Sequence, residues 1–214
     1  MRATYHDWLW EQRALQCVKN LQKHDFDAHW VATTDEARNL LLPIMEPFAT
    51  FGFGGSDTTR ALGLTDRLRA AGKTIYDHWQ QGLTAAQDLE IRLQQGRCDC
   101  FLCSANAITI TGEIVNVDGI GNRTNAMTFG PRKIIIIAGM NKVVDDLAAA
   151  LERVKTTAAP MRAKSLDMGT PCAANGTCVD CNVPQRICRI TTILHRKPLL
   201  SDITVLLINQ ALGF

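Results

Sequence analysis

The sequence predicts an α/β fold, a three-layer sandwich with a mostly parallel central sheet, an N-terminal helical brace and a C-terminal cysteine-rich loop. Three observations carry this expectation. Ile134 to Ala138 is an unbroken, β-branched apolar run, as expected of a central parallel strand covered on both faces. Strand-like and helix-like segments alternate along most of the chain. Residues 160–190 break that rhythm with three of the seven prolines and four of the eight cysteines. At 214 residues, 46% hydrophobic and 21% charged, the chain can bury a sizeable core, and one domain over 1–214 is the default, with helices in 1–47.

In the first 24 residues Trp8, Leu15, Val18 and Leu21 recur at helical spacing among charged neighbours, predicting an amphipathic lid or brace. Thr33 and Glu36 form a capping box for a second helix that should stop near Pro43 or Pro47. A strand over 48–53 then runs into glycines, and 73–76 reads as another. Thr84 and Gln87 cap a third helix with Ala86, Leu89 and Leu93 on one face, ended by Gly96.

Residues 98–105 and 113–117 look extended, with Thr111 and Gly112 in the turn between them. Val143, Leu147, Ala150, Leu151 and Val154 predict a helix that ends before Pro160, and 203–208 reads as a last strand. No stretch reaches the roughly 18 consecutive apolar residues of a membrane span. Charges interrupt every apolar stretch of MRATYHDWLWEQRAL, which disfavours an export signal and points to a cytoplasmic protein. A net charge of +2 without basic runs argues against a nucleic-acid partner.

Cys172, Cys178, Cys181 and Cys188 fall in the pattern C-x5-C-x2-C-x6-C, short enough for one loop to wrap a single ion or cluster. In a reducing compartment this reads as a metal site, either an iron–sulfur cluster or zinc; a pair of disulfides is the third reading. Zinc ribbons use two well-separated Cys-x-x-Cys knuckles, and only one is present, which tilts the balance toward a cluster. The loop should lie outside the sheet core, so that cleft chemistry could proceed without it. Cys98 and Cys100 would share one strand face, and with Cys103 they read either as small core residues or as a second redox group. Cys17 reads as structural.

Gly54 and Gly55 precede Ser56, Asp57 and Thr58 at an apparent helix start, a setting for an anionic ligand or simply a capped turn. Asn116, Asp118, Gly119, Asn122 and Arg123 form a second polar group. There Arg123 could clamp a carboxylate or phosphate and Asp118 could orient it or act as a base, making these two the catalytic candidates; a solvated Asp-Gly turn is the competing view. Ser104, Asn106, Asn141 and Lys142 follow apolar strands, where sheets of this class place ligands. The five histidines are scattered without ligand spacing and read as surface or core.

The motifs GGSDTTRALG, FLCSANAIT, EIVNVDGIGNR and FGPRKIIIIAGMNK, with the closing four cysteines, together resemble the LUD family, the lactate-utilisation domain once catalogued as a domain of unknown function. The resemblance spans about residue 35 to the C-terminus. It implies a fold related to ribose-phosphate isomerase, glucosamine-phosphate deaminase and coenzyme A transferases, with a ligand cleft at the strand ends. It also implies a link to oxidation of lactate to pyruvate alongside iron–sulfur partner proteins, although the appended ferredoxin-like domain of larger relatives is missing. Three functions are compatible with these features: a redox accessory or subunit binding a small anionic metabolite, an isomerase- or transferase-like enzyme on a phosphorylated or coenzyme A-linked metabolite, and a non-catalytic ligand sensor. Whether the protein is an enzyme is left open, as is a homo-oligomeric state.

Overall fold

Branched side chains dominate the strands that this chain buries most deeply, and short polar caps start most of its helices. The computed structural model describes residues 4–214. In chain order the first half contains α1 (Tyr5–Lys23), β1 (Asp27–Val31), α2 (Thr34–Met45), β2 (Thr50–Phe53), α3 (Asp57–Arg60), α4 (Leu64–Ala70), β3 (Thr74–Asp77), α5 (Ala85–Gln95) and β4 (Cys100–Cys103). The second half contains β5 (Ala107–Thr109), β6 (Ile114–Asp118), α6 (Asn122–Thr128), β7 (Lys133–Gly139), β8 (Val143–Val144), α7 (Leu147–Arg153), α8 (Ala159–Ser165), α9 (Pro171–Asn175), β9 (Ile190–Leu194) and β10 (Asp202–Ile208).

Six strands form an all-parallel sheet in the order β1-β10-β7-β4-β2-β3, flanked by helices as the sequence predicts. Alternation along β7 supplies both faces. Ile134, Ile136 and Ala138 pack with α1 and α6 through Ala14, Cys17, Leu21 and Met127, while Ile135 and Ile137 pack with Ala37, Leu41 and Met45 of α2. All seven residues of β7 are buried. A second, mixed sheet, β8-β5-β6-β9, was not expected; its apolar face is covered by α7 and the segment after it, through Ala107, Val115, Ala150, Val154 and Ala159.

The structure corrects several local expectations. α1 buries Ala14, Cys17 and Leu21, leaving Trp8 and Leu15 exposed, and its start is set by a Thr4–Asp7 capping box. α2 runs past Pro43 to Met45, and Glu36 returns its side-chain bond to Ala32 rather than to Thr33. α5 has the Thr84–Gln87 box, but Leu89 and Leu93 face solvent, because α5 sits at the sheet margin and buries only Gln95. Val143 belongs to a strand, and α7 begins at Leu147 behind an Asp146 cap. The helix does not stop before Pro160. A π-turn over Val154–Ala158 widens the spiral, so that the N–H which proline lacks is not missed, and α8 continues. No helix among the described residues is long and apolar enough to cross a membrane.

Candidate functional site

Because β2, β4 and β7 are adjacent and parallel, their carboxyl ends open along one edge of the sheet. The segments leaving them, together with the end of β6, enclose a cleft of about 720 Å³. Gly54, Gly55, Ser56, Thr58, Asn106, Asp118, Gly119, Asn122, Arg123 and Lys142 all line it. Asn141 does not: its side chain accepts from Leu212 N and donates to the Gly213 carbonyl, fastening the chain segment that follows β10.

Each of these residues has a definite local job. Gly55 has a φ of +63°, and a Cβ there would lie 2.9 Å from the rings of both His78 and Trp79. Ser56 accepts from Thr59 N as the cap of α3, which has only four residues. Arg123 donates through Nε to Asp118 Oδ1 (2.9 Å) and through Nη2 to Asn106 Oδ1 (2.9 Å) and Val117 O (2.9 Å), with Nη1 3.4 Å from Ser104 O. Asp118 also accepts from Thr124 N at 2.8 Å. The pair therefore braces the floor of the cleft, and only part of the Nη1 amine is left for a ligand. Asn122 spans Gln95 and Arg92.

Lys142 is different. Its side chain is buried, only 3% exposed, and Nζ donates to Thr58 Oγ1 and Ser104 Oγ, both at 2.9 Å. Burial, followed by the Arg153 and Arg123 guanidinium groups, pulls its pKa from 10.5 down to about 7.

Three contributors were missed in the sequence: Trp79, Arg162 and His78. The guanidinium groups of Arg60 and Arg162 both lie over the Trp79 ring, 4.3 and 4.7 Å from its centroid. Asp77 holds Arg60 with two 2.8 Å bonds and accepts from Trp79 N, fixing the stack. Arg162 comes from α8 and reaches Asp57 only at 3.7 Å, so it is less engaged than Arg123. His78, read as surface or core, lines the cleft, and burial followed by Arg92 lowers its pKa to about 4, leaving it neutral. The signal for His78 and Trp79 was available, since both follow the carboxyl end of β3. That for Arg162 was not, because Pro160 suggested a helix end.

In the cysteine loop, Thr170 caps α9, Pro171 starts it, and Gly176 at φ +79° ends it. Arg186 then organises the turn, donating to the carbonyls of Cys181 (2.6 Å) and Cys188 (2.7 Å) and pairing with Asp180. The thiols of Cys172, Cys178, Cys181 and Cys188 are free and line one small cavity of about 30 Å³. Burial and then its three fellow cysteines push the Cys188 thiol pKa up. Four soft donors around one cavity suit iron or zinc in chemistry. Among the described residues, however, no three are closed into a metal-ligand shell.

The loop does not stand apart from the cleft as expected. Residues 184–189, Cys188 included, form one of its walls, Arg189 N donates to Asp118 O (2.9 Å), and Gly119 packs against the Ile187 backbone. Cys98 and Cys100 do not share a strand face: Cys98 precedes β4 and packs with Cys103 in the α1 layer, while Cys100 faces α2. All three are buried, and burial raises their thiols, to about 12 for Cys98 and Cys103. Cys17 is likewise pushed up to about 12.

A parallel sheet with polar groups gathered around a cleft at its carboxyl edge defines an α/β domain of the open-sheet class. The chain belongs to the LUD domain family, whose sequence pattern matches residues 15–208. It is similar in fold to a DUF162 family protein from Deinococcus radiodurans, with a TM-score of 0.55 at 14% identity over 93% of this chain and 98% of that one. No curated protein matches it.

Proposed function

We propose that this lactate-utilisation-type protein acts as a redox accessory, binding a small anionic metabolite of the lactate–pyruvate type beside a four-cysteine metal centre. The observation that carries the reading is Cys188, which lines both the cation-rich cleft and the cavity shared by the four thiols. Arg92, Arg123, Arg162, Arg186 and Arg189 outnumber Asp57 and Asp118 around the cleft, which favours an anion. Arg162 is the best-placed clamp, because its stack on Trp79 orients the guanidinium without consuming most of its donors.

Cys172, Cys178, Cys181 and Cys188 would hold the metal once their thiols were drawn into one shell. An iron–sulfur cluster would supply one-electron chemistry toward an iron–sulfur partner protein, and zinc would supply structure alone. The chain's own residues bind and orient the ligand and exclude water from the floor of the cleft. Calorimetry with pyruvate and lactate should give binding that Arg162→Ala weakens at least tenfold while the fold is kept; equal affinity in the variant removes Arg162 from the site. Anaerobic purification followed by iron and zinc analysis and EPR should find cluster iron. An iron-free, zinc-bearing preparation would overturn the redox role.

A further inference from the structure

Lys142 has three donors when charged and two when neutral, and it finds two acceptors, Thr58 Oγ1 and Ser104 Oγ. No carboxylate forms an ion pair with it among the described residues; Asp57 is felt only at longer range, and Arg123, Arg153 and the Cys103 thiol are its other charged or titratable neighbours. A charged lysine in this position would be both desolvated and one acceptor short. The neutral amine fits instead: two N–H groups serve the hydroxyls and the lone pair remains for another task. That amine lines the floor of a cleft that also contains Arg162 and part of the Arg123 amine.

We propose that Lys142 Nζ is a nucleophile that forms an imine with the carbonyl carbon of a 2-oxo acid, whose carboxylate is held by Arg162. The inference rests on the anion-binding reading above and specifies its ligand as a carbonyl acid. The nitrogen lone pair attacks the carbonyl carbon, making the C–N bond and moving the carbonyl π pair to oxygen. Protons from nitrogen pass to that oxygen, the C–O bond breaks, water leaves, and the C=N bond remains. Amine plus carbonyl gives imine plus water, with no oxidant or reductant. Ser104 is the better placed hydroxyl to relay the proton, because Thr58 already donates to the Leu212 carbonyl at 3.0 Å, whereas Ser104 has only a 3.4 Å contact to Ala105 O.

The test is reductive trapping on the full chain. Pyruvate with sodium cyanoborohydride should add one reduced pyruvyl group, and peptide mapping should place it on Lys142. Lys142→Met should lose the adduct, and Ser104→Ala should form it roughly tenfold or more slowly, as expected when a proton relay is removed. Because the adduct site is read on the unaltered chain, the outcome does not depend on either variant folding. Modification confined to exposed lysines such as Lys19 or Lys155 would overturn the proposal. If calorimetry shows pyruvate bound while Lys142 stays unmodified, imine formation fails and the anion cleft stands. If pyruvate does not bind, both fail.

Discussion

The cleft has two unlike walls. One is the carboxyl edge of a sheet whose central strand has no exposed residue. The other is residues 184–189 of the cysteine loop, half of them exposed and held by Arg186 bonds to two carbonyls, by Arg189 N on Asp118 O and by the approach of Ile187 to Gly119. The same residue type behaves differently in each. Cysteines in the sheet layers are buried, which raises their thiols, whereas those in the loop share a cavity with one another. The contrast teaches that the frame owes its stability to apolar burial and the loop owes its shape to a few polar contacts. The loop therefore has fewer buried apolar contacts holding it than the frame has.

The largest expected effect tests the frame. Ile136→Ala, in a fully buried site, should cost about 2–5 kcal/mol, read as a lower denaturant midpoint with an unchanged slope. A smaller loss would mean that the sheet is not the stable wall.

A second experiment probes the boundary between the walls through Lys142. Its pKa of about 7 lies below the ordinary 10.5, so between these values the unfolded chain binds the extra proton. Stability contributed at this position should rise with pH through that window and be lowest below pH 7. Lys142→Met should be stabilised relative to the parent at low pH and lose that part of the slope. Parallel pH profiles for the two proteins would show that Lys142 carries no depressed pKa.

The smallest perturbation is chemical labelling. In metal-free protein, iodoacetamide should modify the exposed Cys178 first, while Cys17, Cys98, Cys100 and Cys103 wait for global unfolding, as followed by mass spectrometry. Early labelling of Cys103 would erase the distinction between the two sets.

The frame was legible in the sequence because burial on both faces leaves an apolar run such as Ile134 to Ala138 that no other element produces so simply. β1 was hidden by its edge position, where DAHWV tolerates Asp27 and His29. The second sheet was hidden by brevity, since β5 and β8 have three and two residues. α6 follows Gly121, which has φ +100° and offers no side-chain cap, so no capping side chain precedes Asn122. In the cleft, residue positions were legible from strand ends. Their roles were not: that Arg123 would be spent on Asp118 and Asn106, and that Arg162 would meet Trp79, depends on contacts between elements distant in sequence.

The Arg60–Trp79–Arg162 stack has a practical consequence. An indole fluoresces according to what lies against its ring, and here two guanidinium groups, one of them the proposed anion clamp, lie over it. A ligand that drew Arg162 away would change what lies against the ring, so the cleft would carry its own optical gauge, readable by subtracting the emission of Trp79→Phe from that of the parent.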